Sequence, residues 1–105
     1  MNYIQSIVKI LESPKSTKLN ITKFRAQLPK NKHGSQIVIL ILRGNLAKTI
    51  LKYYEKNDYI MIEGYVSVKI QTSLNLVNKS FKKVEITVLK VYPFLLTSNS
   101  FLQKS

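Results

Sequence analysis

Three stretches of the chain alternate apolar and polar residues, two are densely apolar, and one carries its apolar residues three to four apart. Residues 3–12 are rich in Ile and Val until Ser13-Pro14 stops them, which predicts a strand. In "NITKFRAQL" (20–28), Phe24, Ala26 and Leu28 share one face while Lys23, Arg25 and Gln27 share the other, the period of a half-buried strand. "PKNKHGS" (29–35) reads as a loop by its Pro, Asn and Gly content. "QIVILILRG" (36–44) is β-branched and apolar on both faces, as expected of a strand covered on both sides. "YIMIEGYVSVKIQ" (59–71) returns to period two, with Ile60, Ile62, Gly64, Val66, Val68 and Ile70 opposite Tyr59, Met61, Glu63, Tyr65, Ser67 and Lys69. Gly64 inside this run predicts a bulge or sharp bend. Residues 72–80 form a connection, and 81–95 alternate again until Pro93.

Between the third and fourth strands lies a helical segment. Leu46, Ala47, Ile50, Leu51 and Tyr54 make one apolar stripe. Asn45 is placed to cap the N-terminus, Lys52 and Lys56 lie near the end where the helix dipole favours cations, and Lys48 and Lys52 occupy the opposite face. "KND" (56–58) ends the segment in a turn. Five strands with one short helix between the third and fourth is the order of an all-β barrel of the OB type. The helix stripe is expected to cover one end of that barrel. Residues 1–96 are expected to form one domain and residues 97–105 a short flexible tail.

Charge changes the picture more than composition does. The 105 residues include 17 Lys and Arg against 5 Asp and Glu, a formal net charge of +12. Such a field attracts polyanions, so nucleic acid leads the expected partners and an anionic membrane surface follows. Part of the excess reflects codon bias, since Lys, Ile and Asn make up about a third of the chain. The absence of cysteine excludes disulfides, thiolate nucleophiles and zinc–thiolate sites. The longest apolar run, Ile37 to Leu42, is far short of the ~20 residues of a membrane-spanning helix. "MNYIQSIVKILES" lacks the layout of a secretory signal and of a transit peptide. The expectation is therefore a soluble protein of a bacterial-type cytoplasm or one made within an organelle.

The stretch "RGNLAKTILKYYEKNDYIMIEGYV" (43–66), followed by "KVEITVLKVYPFL" (83–95), resembles the bacterial-type single-stranded-DNA-binding protein family, and within it a reading frame carried on algal plastid genomes with cyanobacterial counterparts. The primosomal replication proteins are a related resemblance. The resemblance implies an OB fold, single-stranded DNA as partner with RNA left open, a homodimer or homotetramer, a role in replication, repair or recombination, and the plastid stroma as location. It also implies aromatic rings on the third and fourth strands that stack on bases, each stack contributing ~1–3 kcal/mol. The matching positions here are Ile37, Arg43 and Gln71, and no acid follows Glu85 to form the family's acidic tail. Binding is therefore expected to rest on charge, without tail-mediated recruitment.

On an OB fold the second and third strands and the flanking loops form the usual binding face. The residues there are Lys23 and Arg25 on the second strand, Arg43 ending the third, Tyr65 and Lys69 on the fourth, and Lys79, Lys82 and Lys83 around the last connection, with Lys15 and Lys18 in the first. Lysines at such places track phosphates without reading sequence; equally, they can simply solvate a sheet face. Tyr65 is the candidate for stacking, or else for cross-strand packing or a subunit contact. Ile37, Ile39 and Ile41 face away from the core and are expected to meet another subunit, or else to be covered by a loop or the tail. His33 stands alone, short of the three or four ligands a metal needs. Glu63 and Glu85 are more simply explained by ion pairs with lysines than as a catalytic pair. No phosphate loop or nucleophile motif occurs, so no enzyme, cofactor or small-molecule substrate is expected. A second class of function stays open, an OB scaffold that has lost its stacking rings and docks a protein or an anionic membrane.

Overall fold

A computed structural model describes residues 2–32, 34–72 and 80–94. Its elements are β1 (Asn2–Ile10), β2 (Lys15–Lys18), β3 (Ile21–Gln27), β4 (Ile37–Arg43), α1 (Asn45–Tyr53), β5 (Tyr59–Thr72) and β6 (Ser80–Pro93). The five predicted strands are β1, β3, β4, β5 and β6. The added strand, β2, is exposed along its whole length and has no apolar face, so no hydrophobic period marks it. It is a hairpin partner of β3, turned at Asn20, whose φ of 61° is a left-handed value that Asn tolerates. His33 and the 97–105 tail lie outside the described residues.

The strands neighbour one another in the order β1-β5-β6-β4-β3-β2, and β1 also pairs with β3, so the sheet returns on itself as a ring. All pairings are antiparallel except β4 with β6, which meet in parallel from Ile39↔Glu85 to Ile41↔Thr87. This all-β ring with one helix between β4 and β5 is an OB fold. The closing seam is short, Lys9↔Gln27 and Ile10↔Ala26. It is reinforced where Leu11 N donates to Arg25 O at 3.0 Å and Asn57 N donates to Ile10 O at 2.7 Å.

Val8, Ile10, Phe24, Leu40, Leu42, Ile60, Ile62 and Ile86 fill the ring and are buried. Helix α1 adds Ala47 and Ile50, with Leu46 and Tyr54 packed at the margin; truncating a side chain such as Ile50 to Ala costs about 2–5 kcal/mol in a core of this kind. Leu51, expected in the same stripe, stays exposed, because the nine-residue helix is too short to bury more than one narrow edge. The Thr22 hydroxyl, fully buried on β3, donates to Ala47 O at 3.4 Å and ties the helix to the sheet. Asn45 does not cap the helix. Gly44 occupies that position with φ 64° and ψ −133°, no side chain satisfies the first turn, and Asn45 is already helical. The chain must turn sharply from β4 into α1, and glycine reaches that positive φ without a Cβ penalty.

Gly64 fulfils the expectation of a bulge, though the extra residue sits on the partner strand. Glu63 pairs with Lys90 but Gly64 with Val88, which leaves Leu89 of β6 unpaired. A Cβ at residue 64 would collide with the Thr87 carbonyl and come within 3.1 Å of Val88 Cα. Past Val66 on β5 and before Glu85 on β6, these two strands pair only with each other. They continue as a two-stranded ribbon beyond the core, so Val68 and Ile70, which continue the inward face, are 56% and 70% exposed.

Gly64→Ala is expected to destabilise the fold by about 1–3 kcal/mol, the usual cost of overpacking, because backbone and not a pliable side chain blocks the methyl. Urea denaturation followed by circular dichroism measures it, and the midpoint should fall well below that of the parent.

Candidate nucleic-acid interface

Pairing registers place the outward side chains in rows across the ring. One row runs Lys23, Ile41, Thr87, Tyr65, Tyr3 through β3, β4, β6, β5 and β1; the next runs Arg25, Ile39, Glu85, Ser67. Lys15 of β2 stands opposite Lys23, and Arg43 opposite Ile21. Lys23, Arg25, Arg43, Lys69 and Lys83 therefore share the outside of one continuous sheet, as the alternation requires. Lys82 does not join them. It lies within β6 opposite Ile70, on the same side as Val84 and Ile86, one residue out of phase with Lys83. Neither Lys82 nor Lys83 belongs to a loop, because the ribbon carries strand pairing past them. Lys79 lies outside the described residues.

The cations differ in what they already hold. Glu85 is 6% exposed at the centre of the face, and its two oxygens meet Lys69 Nζ at 3.1 Å and Lys83 Nζ at 3.5 Å. Burial alone would push this carboxyl up; the hydrogen bonds and charges of the two lysines outweigh it and hold the group below its ordinary value of 4.5. Arg25 Nε lies 3.5 Å from Glu12, whose other oxygen accepts from the Arg25 backbone N–H at 2.8 Å. Among the described residues no carboxylate pairs with Lys23, Arg43 or Lys15. These three can meet a phosphate without first giving up a partner.

The isoleucine row is smaller than the sequence suggests. Ile41 is only 6% exposed and Ile39 is half-buried; Ile37, at 54%, supplies most of the open surface. Ile41 stands between Lys23 and Thr87 in the register and, being buried, adds little to an open stripe.

A larger exposed apolar feature lies on β1, β5 and β6. Tyr3 and Tyr65 face each other across the strand pair with ring centroids 5.5 Å apart, edge to face, and Tyr92 joins them through Glu63, whose carboxylate accepts from the Tyr92 hydroxyl at 3.0 Å. All three rings are exposed. The Tyr3 phenol is pushed above 10.0 by partial burial and then by its hydrogen bond to Glu63, and that of Tyr92 by its hydrogen bond to Glu63 first. The Tyr92 hydroxyl is the donor in its bond to Glu63. Glu63 is thus met by the Tyr92 hydroxyl, and among the described residues no lysine pairs with it, while the ion-pair expectation holds for Glu85. Glu63 and Glu85 stand opposite different partners, Lys90 and Ser67, and form no pair. Tyr3 and Tyr92 escape a sequence reading because only the strand register brings them to Tyr65. Glu85 was legible as the one acid among the lysines of "FKKVEITVLK". Among the described residues no cluster of His, Cys, Asp or Glu could hold a metal ion, and no helix is long and apolar enough to cross a membrane.

No family model matches the chain. It is 36% identical, over 93% of both chains, to the "Putative single-stranded DNA-binding protein ycf41" of Trieres chinensis. Among solved structures it is similar to the small single-stranded DNA-binding protein of Streptomyces coelicolor, with a TM-score of 0.74 at 12% identity, covering 90% of this chain and 95% of that one. It is also similar to the second single-stranded DNA-binding protein of Mycobacterium smegmatis, with a TM-score of 0.67 at 20% identity, covering 99% and 97%. At these identities the two structures bear on the fold.

Because the folded-state value of Glu85 lies below 4.5, the unfolded chain takes up this proton more readily. The stability it contributes is therefore complete above pH 4.5 and is lost as pH falls through that value towards the folded one. Denaturation midpoints measured from pH 7 to pH 3 should show a drop below pH 4.5 that is smaller in Glu85→Gln.

Proposed function

The chain belongs to the family of the ycf41 protein, and from that premise we propose that it is a single-stranded DNA-binding protein that holds the strand on the outer face of β3, β4, β6 and β5. The observation that carries this reading is the group of cations Lys15, Lys23 and Arg43, on adjacent rows of β2, β3 and β4 and without acidic partners, flanked by Arg25, Lys69 and Lys83 and by the apolar surface of Ile37 and Ile39. Phosphates meet the cations and release counterions, which supplies affinity without sequence reading. Bases rest on aliphatic surface where the resembled family has rings. The work is binding, with no bond made or broken, in replication, repair or recombination, and the ycf41 relationship supports a plastid setting.

We propose also that the protein assembles with itself, through the Tyr3, Tyr65 and Tyr92 surface rather than through Ile37, Ile39 and Ile41. Two copies of a +12 chain repel most where their cations are densest, and the isoleucines lie among those cations. The tyrosine surface is largely aromatic and sets the Glu63 carboxylate opposite its one lysine, Lys90, so it is less cationic and suits a close contact better.

Oligothymidine affinity should weaken steeply with salt. Replacing Lys23 and Arg43 together by Ala should flatten the log–log salt slope by about 1.4, from ~0.7 per phosphate on a single strand. Lys69→Ala should flatten it less, since Glu85 already neutralises part of that charge, and Lys48→Ala with Lys52→Ala on α1 should change it little. If the helix pair weakens binding as much as the strand pair, attraction by net charge is the better account. If no oligonucleotide binds at low salt, the scaffold reading takes its place. Sedimentation should show a species heavier than the 12.1 kDa chain, and Tyr65→Ala should shift it towards monomer while leaving the salt slope unchanged.

A further inference from the structure

An open groove of about 420 Å³ lies at the seam where β1 meets β3. Its walls are Leu28, Pro29, Tyr59 and Phe94, and Lys9 and Lys30 also line it. The strand register joins it to the binding face. Ile37 pairs with Gln27, Gln27 with Lys9, and Lys9 with Tyr59, so one row of outward residues runs from the exposed isoleucine of β4 around the ring into the groove. Among the described residues no carboxylate pairs with Lys9 or Lys30, in contrast to Lys69 and Lys83.

We propose that this groove receives a nucleobase of the bound single strand, stacked against Tyr59 and Phe94, with the neighbouring phosphates met by Lys9 and Lys30. The volume falls within the ~300–1,000 Å³ of pockets that hold small ligands. The lining calls for an occupant that is flat and apolar at one end and anionic at the other, and a nucleotide has that division. Gln27, also in the lining, offers an amide donor and an amide acceptor to a base edge. A groove of this kind, reached from Ile37, supplies ring contacts that Ile37 and Arg43 cannot make. It rests on the reading of the chain as a single-stranded DNA-binding protein and adds a base-binding position to it.

The test is photocrosslinking of the unaltered full chain to an oligothymidine in which single positions carry 5-iodouracil, with the crosslinked residue found by mass spectrometry. The expected result is adducts at Tyr59 or Phe94. Adducts confined to Tyr3, Tyr65 or Tyr92 would overturn the assignment while leaving single-strand binding intact. An absence of all binding would overturn both. A second measurement uses Tyr59→Leu with Phe94→Leu, checked for folding by its thermal transition. Affinity should drop about 5- to 150-fold, the loss of one stacked base, with the salt slope unchanged. Lys9→Ala with Lys30→Ala should instead flatten the slope by about 1.4. A folded double-leucine variant that binds as tightly as the parent, with the same preference for an intact over an abasic oligothymidine, would also overturn the proposal.

Discussion

The absence of a side chain at residue 64 sets the shape of this protein. The backbone of β6 lies against that position so closely that Thr87 and Val88 occupy the space a methyl group would need, and the register between β5 and β6 slips by one residue there. A bulge of this kind sharpens local twist and bends a strand pair. Here the bend lets β5 reach β1 on one side while β6 meets β4 on the other, and the ring then closes with only two residue pairs between β1 and β3. Above the bend the same two strands run on as a ribbon. One glycine thus underlies both the enclosed core and the arm that carries Lys69 and Lys83.

The outside of the ring is built from charges that are not equivalent. Glu85 is nearly buried between Lys69 and Lys83, and Glu12 holds Arg25 from the edge. A phosphate arriving at these groups must compete with a carboxylate already in place, whereas at Lys15, Lys23 and Arg43 it competes only with solvent and mobile ions. Net charge therefore overstates what the face can offer, and in the reading proposed above the cations without acidic partners on β2, β3 and β4 are the ones that meet the strand. The apolar side chains between them are the ones a second cationic copy would be poorly suited to cover.

Most of the fold was legible because it is written in periods. Alternation placed β3, β5 and β6, density placed β1 and β4, and the stripe from Leu46 to Tyr54 placed α1. What escaped was whatever depends on partners distant in sequence. β2 has no apolar face and exists only against β3. The helix begins at Gly44 rather than behind a capping Asn45 because of the turn out of β4, and Leu51 faces solvent because the sheet meets only one edge of so short a helix. The site divides along the same line. That Lys23, Arg25, Arg43, Lys69 and Lys83 share a face follows from period two. That Glu85 binds two of them, that Ile41 is covered, that Lys82 points the other way, and that Tyr3, Tyr65 and Tyr92 gather about Glu63 all follow from register, which a single strand does not reveal.

The central claim is that a single strand of DNA lies on the outer face of β3, β4, β6 and β5 because free cations are arranged there, and not wherever a basic protein meets a polyanion. Amide chemical-shift mapping during titration with oligothymidine tests it most directly. The account predicts changes concentrated at residues 15–18, 21–27, 37–43, 67–69 and 83–87, with α1 little affected although it carries Lys48 and Lys52. Changes centred on the helix, or spread evenly over every lysine-bearing segment, would contradict it.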